Sequence, residues 1–365
     1  MKRIWWEQVR AVMRLEIKKT FFATRGLWIY FVALVPVVIF TAYSIANSMQ
    51  IHRSASLSRR QEKRLTDQDL QAVRKGMTRE EVIGLLGKPP LKSHGTAHQG
   101  AGAERRTIVH EEYHYTDGVN DLYVSLVDGT VANIVISEGY DMGRDSVMFA
   151  GIFQFFFLRL AVFFGCLGIF MNLFRGEVLD RSLHFYFLSP IRREVLVAGK
   201  FLAGLIATSV IFVTSELLQN VAFLWHLSPG ARDLYLYHNH GLSHTAIYLG
   251  ITMLACVGYG AFFLVAGMLF RNPIIPTLVI LIWEWINPFL PAVLRQISVI
   301  YYLKALCPVN IPTPPGMPAL PAMLISNPDP ISAPLALTGL LLVALLALYL
   351  SSLEVRRMEI NYTTE

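Results

Sequence analysis

Three charged side chains stand inside stretches that otherwise avoid charge. Arg159 interrupts Val147 to Phe174, Glu216 interrupts Leu202 to Phe223, and Glu284 sits between Trp283 and Trp285. A charge at membrane depth costs about 2.5–3.5 kcal/mol on insertion scales, so such residues face protein or water and mark pathways or buried ion pairs. Histidines offer a second chemistry. His238, His240 and His244 form H-x-H-x3-H, and His110 and His114 are expected on one face of a strand. Imidazoles so spaced can bind copper or zinc. Only Asp233 stands near the triplet, so a metal site is not favoured there. A phosphate-cradling loop needs G-x-x-x-x-G-K followed by Ser or Thr. Lys88 is followed by proline and Lys200 by phenylalanine, so the chain supplies no nucleotide site. No catalytic residue and no cofactor is assigned to it.

These groups must be positioned by long apolar helices. Of 365 residues, 54% are hydrophobic and only 16% charged, against about a quarter charged in soluble proteins. Spans of about 20 apolar residues are needed to cross a bilayer. Leu27 to Ala46, Val147 to Phe174, Leu202 to Phe223, Thr245 to Phe270, Ile274 to Leu294 and Leu335 to Leu353 meet that length. The expectation is an all-α polytopic membrane protein with six transmembrane helices. Cys166, Cys256 and Cys307 lie in or beside apolar runs and read as packing residues. With the N-terminus inside, the short inner segments hold fifteen Lys and Arg and the outer ones three. The positive-inside rule then faces both termini to the cytoplasm, and a bacterial inner membrane is the expected location. Lipid is the expected surrounding partner, and nucleic acid is not expected as one.

The coarse organisation follows. Residues 1–24 form a cytoplasmic basic amphipathic helix, with Arg3, Glu7, Arg10, Arg14 and Lys18 on one face and Trp5, Val9, Val12 and Met13 on another. The first span occupies 25–50, a polar insert 51–146, spans two to six 147–354, and a cytoplasmic tail 355–365. Within the insert, about 66–138 reads as a small α+β (ααβββ) domain. One short helix ends at Gly76; Thr78 and Glu81 make a capping box for a second. "KSHGTAHQGAGAERR" reads as a flexible loop, and three strands follow, the last two joined through Asp128-Gly129.

This insert resembles the SmpA/OmlA (BamE-like) lipoprotein fold in Gly76-Met77-Thr78, Val82, Leu86-Gly87-Lys88-Pro89, Tyr113 to Tyr115 and Asp128-Gly129. The family's lipid-bearing cysteine is missing. The resemblance implies an extracytoplasmic module that contacts an envelope protein and has no catalytic residues.

Between spans two and three lies 175–200, ending in "LHFYFLSPIRREVLVAGK". Ser189 is a good N-cap and Pro190 suits a first helical turn. A simple reversal needs only a few residues, so this longer run reads as a stiff projection. The pattern R-S-L-x-x-x-x-L-S-P-I-x-R leading to G-K resembles the type-2 ABC-exporter permease family. That family has six spans and a coupling helix between the second and third. By resemblance, Glu177, Arg181, Ser189, Pro190, Arg193, Gly199 and Lys200 form the coupling segment, which docks on a separate ABC ATPase subunit carrying the ATP and Mg. A second permease copy, identical or related, completes the pathway. The resemblance implies a non-enzymatic permease subunit of an exporter. Two other classes fit the same composition: an intramembrane enzyme modifying lipid or glycan through Glu216, Glu284 and histidines, and a non-transporting envelope assembly or sensor protein.

Overall fold

The computed structural model describes residues 2–22, 26–99, 106–137, 141–179, 192–270, 272, 274–313, 318 and 331–357. The chain is mostly helical and divides into two compact units. One comprises Met1–Phe40, Arg144–Phe223 and Leu234–Glu365; the other comprises Thr41–Gly143 and Leu224–Asp233.

The helical unit follows from uninterrupted apolar sequence, in which a helix satisfies every backbone donor and acceptor within its own segment. Helix α1 spans Lys2–Phe22 and α2 spans Leu27–Ser58, running beyond the expected end of the first span. The next apolar run begins as α5 (Met142–Ile152), continues as a π-helical segment at Phe153–Val162, and ends as α6 (Phe163–Leu179). Then come α7 (Arg193–Leu224), α8 (Pro229–Asp233), a second π-helical piece at Leu234–His238, and α9 (Gly241–Leu269). After these stand α10 (Ile274–Ile286), a 3-10 turn at Asn287–Phe289, α11 (Ala292–Arg295), α12 (Val299–Leu306) and α13 (Ala333–Arg357).

Among the described residues, five helices are long and apolar enough to cross a membrane, where sequence suggests six. The difference lies at Ile274 to Leu294. Helix α10 has 13 residues, about 20 Å at 1.5 Å per residue. The chain turns at Asn287-Pro288, where Pro288 has no N–H to continue the ladder. Asn287 is buried, and its Nδ2 donates to the Arg295 carbonyl at 3.1 Å, which holds the turn.

Close helix packing is set by small residues. Helix α9 lies along α6 and α13. Phe170 of α6 is seated between Gly204 of α7 and Gly260 of α9. A Cβ on either would come within 2.7 or 2.5 Å of its ring. Glycine lets the backbones approach until dispersion contact is complete.

The second unit contains α3 (Asp67–Gln71), α4 (Arg79–Leu86) and a sheet. Four antiparallel strands, β1 (Leu91–Gln99), β2 (Arg106–Thr116), β3 (Asp121–Val127) and β4 (Thr130–Ser137), are ordered β1-β2-β3-β4. Sequence suggests only three strands, with the stretch now seen as β1 read as a flexible loop. The structure pairs it with β2 from Leu91↔His114 to Gln99↔Arg106. An edge strand is held by its backbone ladder and lies in water on one side, so polar residues such as Lys92, Ser93 and His94 suit it while giving no apolar alternation. The capping box of Thr78 and Glu81 is present, and a second joins Thr66 to Asp69. Asp128 and Gly129 have φ of 49° and 82°, the pair of positive values that a tight two-residue hairpin demands. Leu65, Leu70, Val82, Leu86, Tyr113, Tyr115, Leu122 and Val124 pack between the helices and one sheet face.

A buried carboxylate joins α2 to this sheet. Asp121 is 2% exposed; it accepts from Ser54 Oγ at 2.7 Å, and His114 Nε2 lies 3.2 Å from its other oxygen. Burial alone would raise its pKa, but the contacts from His114 and Ser54 outweigh that and hold it below the ordinary 3.8. A lowered carboxylate stabilises the fold above the unfolded value and loses that contribution as pH falls through the folded one. Amide exchange in β2 and β3, corrected for its intrinsic pH dependence, is therefore expected to accelerate as pH drops below 3.8. Asp121→Asn is expected to show that acceleration already at neutral pH, by about 1–3 kcal/mol of lost protection. Unchanged exchange in that variant would deny the carboxylate its role.

Candidate functional site

Two polar groups are built inside the helical unit. The first forms where α1, α6, α7 and α13 meet. Lys200 of α7 is fully buried; its Nζ donates to Glu16 Oε1 of α1 at 2.8 Å and to the Leu173 carbonyl of α6 at 2.7 Å, and lies 5.2 Å from the Phe174 ring centre. Glu16 is 3% exposed. One residue earlier, Gly199 admits α1: a Cβ there would stand 2.9 Å from Val12. Arg193 Nη1 donates to the carbonyls of Val355 and Arg356 in the last turn of α13, and Arg356 pairs with Glu194. Cations at a helix C-terminus satisfy orphan carbonyls and complement its dipole. Arg192 lies over the Trp5 ring at 4.7 Å. Both the start of α7 and the Leu173 turn of α6 are thus tied to neighbouring helices.

The second group surrounds Arg159 on the π-helical segment. Arg159 is 2% exposed, and its guanidinium carbon lies 5.3 Å from the Phe155 ring centre and 5.2 Å from that of Trp285. Lys304 of α12 stands 5.8 Å from the same Phe155 ring. Glu284 of α10 is buried, and four donors converge on it. Ser298 Oγ and the Ile300 N–H reach Oε2 at 2.9 Å, the Val299 N–H reaches Oε1 at 3.0 Å, and Tyr259 Oη reaches Oε2 at 3.4 Å. The carboxylate therefore caps the N-terminus of α12, where backbone donors and the helix dipole both favour negative charge. Glu216 of α7 accepts from Asn220 Nδ2 at 2.9 Å through Oε1, while its Oε2 has no hydrogen-bond partner among the described residues.

No protein-family model, curated protein or solved structure matches the chain.

The sequence-predicted residues are distributed as follows. Arg159 and Glu284 come together in one buried group, and Glu216 lies apart from them on α7. Of the coupling residues, Gly199 and Lys200 lie at the junction of α1 and α7, and Arg193 binds the last turn of α13. Glu177 falls in the last turn of α6, its side chain outside the described residues, as are Arg181, Ser189 and Pro190. Lys200 and Gly199 face inward and hold α1 rather than facing solvent. Sequence reasoning missed Glu16 and Lys304. Glu16 carried a signal, lying four residues after Val12 on the apolar face of α1. Lys304 carried none beyond its apolar neighbours.

Among the described residues no group of three His, Cys, Asp or Glu could hold a metal ion. His110-Glu111-Glu112-Tyr113-His114 reads H-E-x-x-H, a metal motif only when a helix brings both imidazoles to one face. It lies on β2, where four residues span about 13 Å. Glu111 is buried and bonded to Tyr113 Oη at 2.7 Å, and His114 stacks on Tyr123.

Proposed function

We propose that the chain is the membrane permease subunit of an ATP-driven exporter, with the sheet-bearing unit inserted between its first two spans on the outer side. Both termini face the cytoplasm, and α10 with its following turn serves as a shortened fifth crossing. What supports the reading most is the anchoring of α6 and α7, the helices on either side of residues 180–191. The Leu173 carbonyl of α6 takes a bond from Lys200; α7 is clamped to α1 by Lys200–Glu16 and to α13 by Arg193. A force delivered to α6 and α7 passes through these bonds into α1 and α13. A separate ATPase, closing on ATP, would push there and shift the population between inward and outward states. The exporter resemblance of residues 175–200 supports the direction, and the resemblance of the sheet unit to envelope lipoproteins supports a protein contact outside.

The enzyme reading finds less support, because three donors of the α12 N-terminus and the Tyr259 hydroxyl of α9 leave the Glu284 carboxylate occupied. The test is reconstitution with a P-loop ATPase that co-purifies with the chain. Stimulated ATP hydrolysis that falls severalfold with Glu177→Lys, while the permease still folds and binds lipid, is expected. Full stimulation in that variant, or labelling of Arg192→Cys only from outside the cell, would overturn the coupling role.

A further inference from the structure

Arg159 poses a charge problem that the fold leaves open. Its guanidinium offers five N–H donors, yet Nε, Nη1 and Nη2 have no hydrogen-bond partner among the described residues, although the side chain is 98% buried. A carboxylate has about four acceptor sites, and those of Glu284 are taken by Ser298, Val299, Ile300 and Tyr259. Lys304 adds a second cation over the shared Phe155 ring. Ring faces attract a cation but cannot accept a directional bond from each N–H. The two rings that cover the guanidinium, Phe155 and Trp285, are themselves partly exposed. Beside Trp285, α10 presents Ile282 and Ile286 outward.

We propose that Arg159, with Lys304 beside it, binds the phosphate diester head group of an anionic amphiphile entering laterally between Phe155 and Trp285. A diester carries one negative charge for the Arg159 guanidinium, whose fork suits two non-bridging phosphate oxygens. The hydrocarbon then lies along Ile282 and Ile286. The Phe153–Val162 backbone carries Arg159 on a π-helical turn, a geometry frequent at functional sites. This site does not depend on the transporter reading.

The test is native mass spectrometry on the full chain in non-ionic detergent, titrated with phosphatidylglycerol, phosphatidylcholine or inorganic phosphate. The wild type is expected to retain phosphatidylglycerol about tenfold more tightly than phosphatidylcholine, the worth of one charge-assisted interaction. Arg159→Gln is expected to bring the two lipids to parity, and Arg159→Lys, which keeps the charge without the fork, to fall between. Parity in the wild type would overturn the proposal without any variant having to fold. An undiminished preference in Arg159→Gln, or in Arg159→Lys should the first not fold, would assign the lipid to another basic surface and overturn it equally. Inorganic phosphate binding as tightly as the lipid would replace the amphiphile with a free anion.

Discussion

Lys200→Met is expected to destabilise the helical unit by about 3–5 kcal/mol, the cost of removing one partner from a buried ion pair. Glu16 would keep its charge at 3% exposure and lose the ammonium 2.8 Å away. The Leu173 carbonyl would lose its bond as well. Methionine keeps most of the volume, so the loss is electrostatic rather than a cavity. The reciprocal Glu16→Leu should cost a similar amount by stranding the ammonium. The double variant should recover most of the loss, since two apolar side chains of matching volume need no desolvation. Unfolding in mixed micelles, with protease cleavage within residues 1–22 as a local reporter, measures all three. Single variants within about 0.5 kcal/mol of wild type would place them with ordinary surface changes and show that the pair does not hold α1.

The second large effect concerns Glu284. Glu284→Ala would leave the N–H groups of Val299 and Ile300 and the Ser298 hydroxyl without an acceptor. Each buried donor so stranded costs about 1–3 kcal/mol, so a loss of about 3–5 kcal/mol is expected. Arg159 would also lose the nearest compensating carboxylate. Glu284→Gln, which keeps one oxygen for the helix end but adds an amide donor facing backbone donors, should lose about half as much. The same micelle titration, followed by Trp283 and Trp285 fluorescence, reads the change on α10 itself. If Glu284→Ala behaved as wild type, α12 would not depend on this cap.

The two effects differ in how far they could be anticipated. Glu284 was conspicuous because a carboxylate flanked by tryptophans in an apolar run has to find compensation somewhere. That its partner is a helix N-terminus could not be read, since Ser298 to Ile300 lie beyond a turn whose geometry depends on Asn287 and Pro288. Lys200 drew attention through its Gly-Lys context, and a surface role was expected for it. Its burial depends on α1 folding back over α7, a contact 184 residues apart in sequence.

Local chemistry accounts for what was legible. Apolar length predicts helices; Thr78 with Glu81, and Asp128 with Gly129, predict a cap and a turn, because each signal acts within a few residues. Composition also pointed to the membrane class, and charge asymmetry to an orientation. Strand β1, the break after Ile286 and the pairing of Arg159 with Phe155 and Trp285 were not legible in that way. A ladder on an edge strand needs a neighbour more than it needs apolar residues, and a buried charge is compensated by whatever element packs against it. Both depend on distant segments meeting, so they emerged only when the chain was folded.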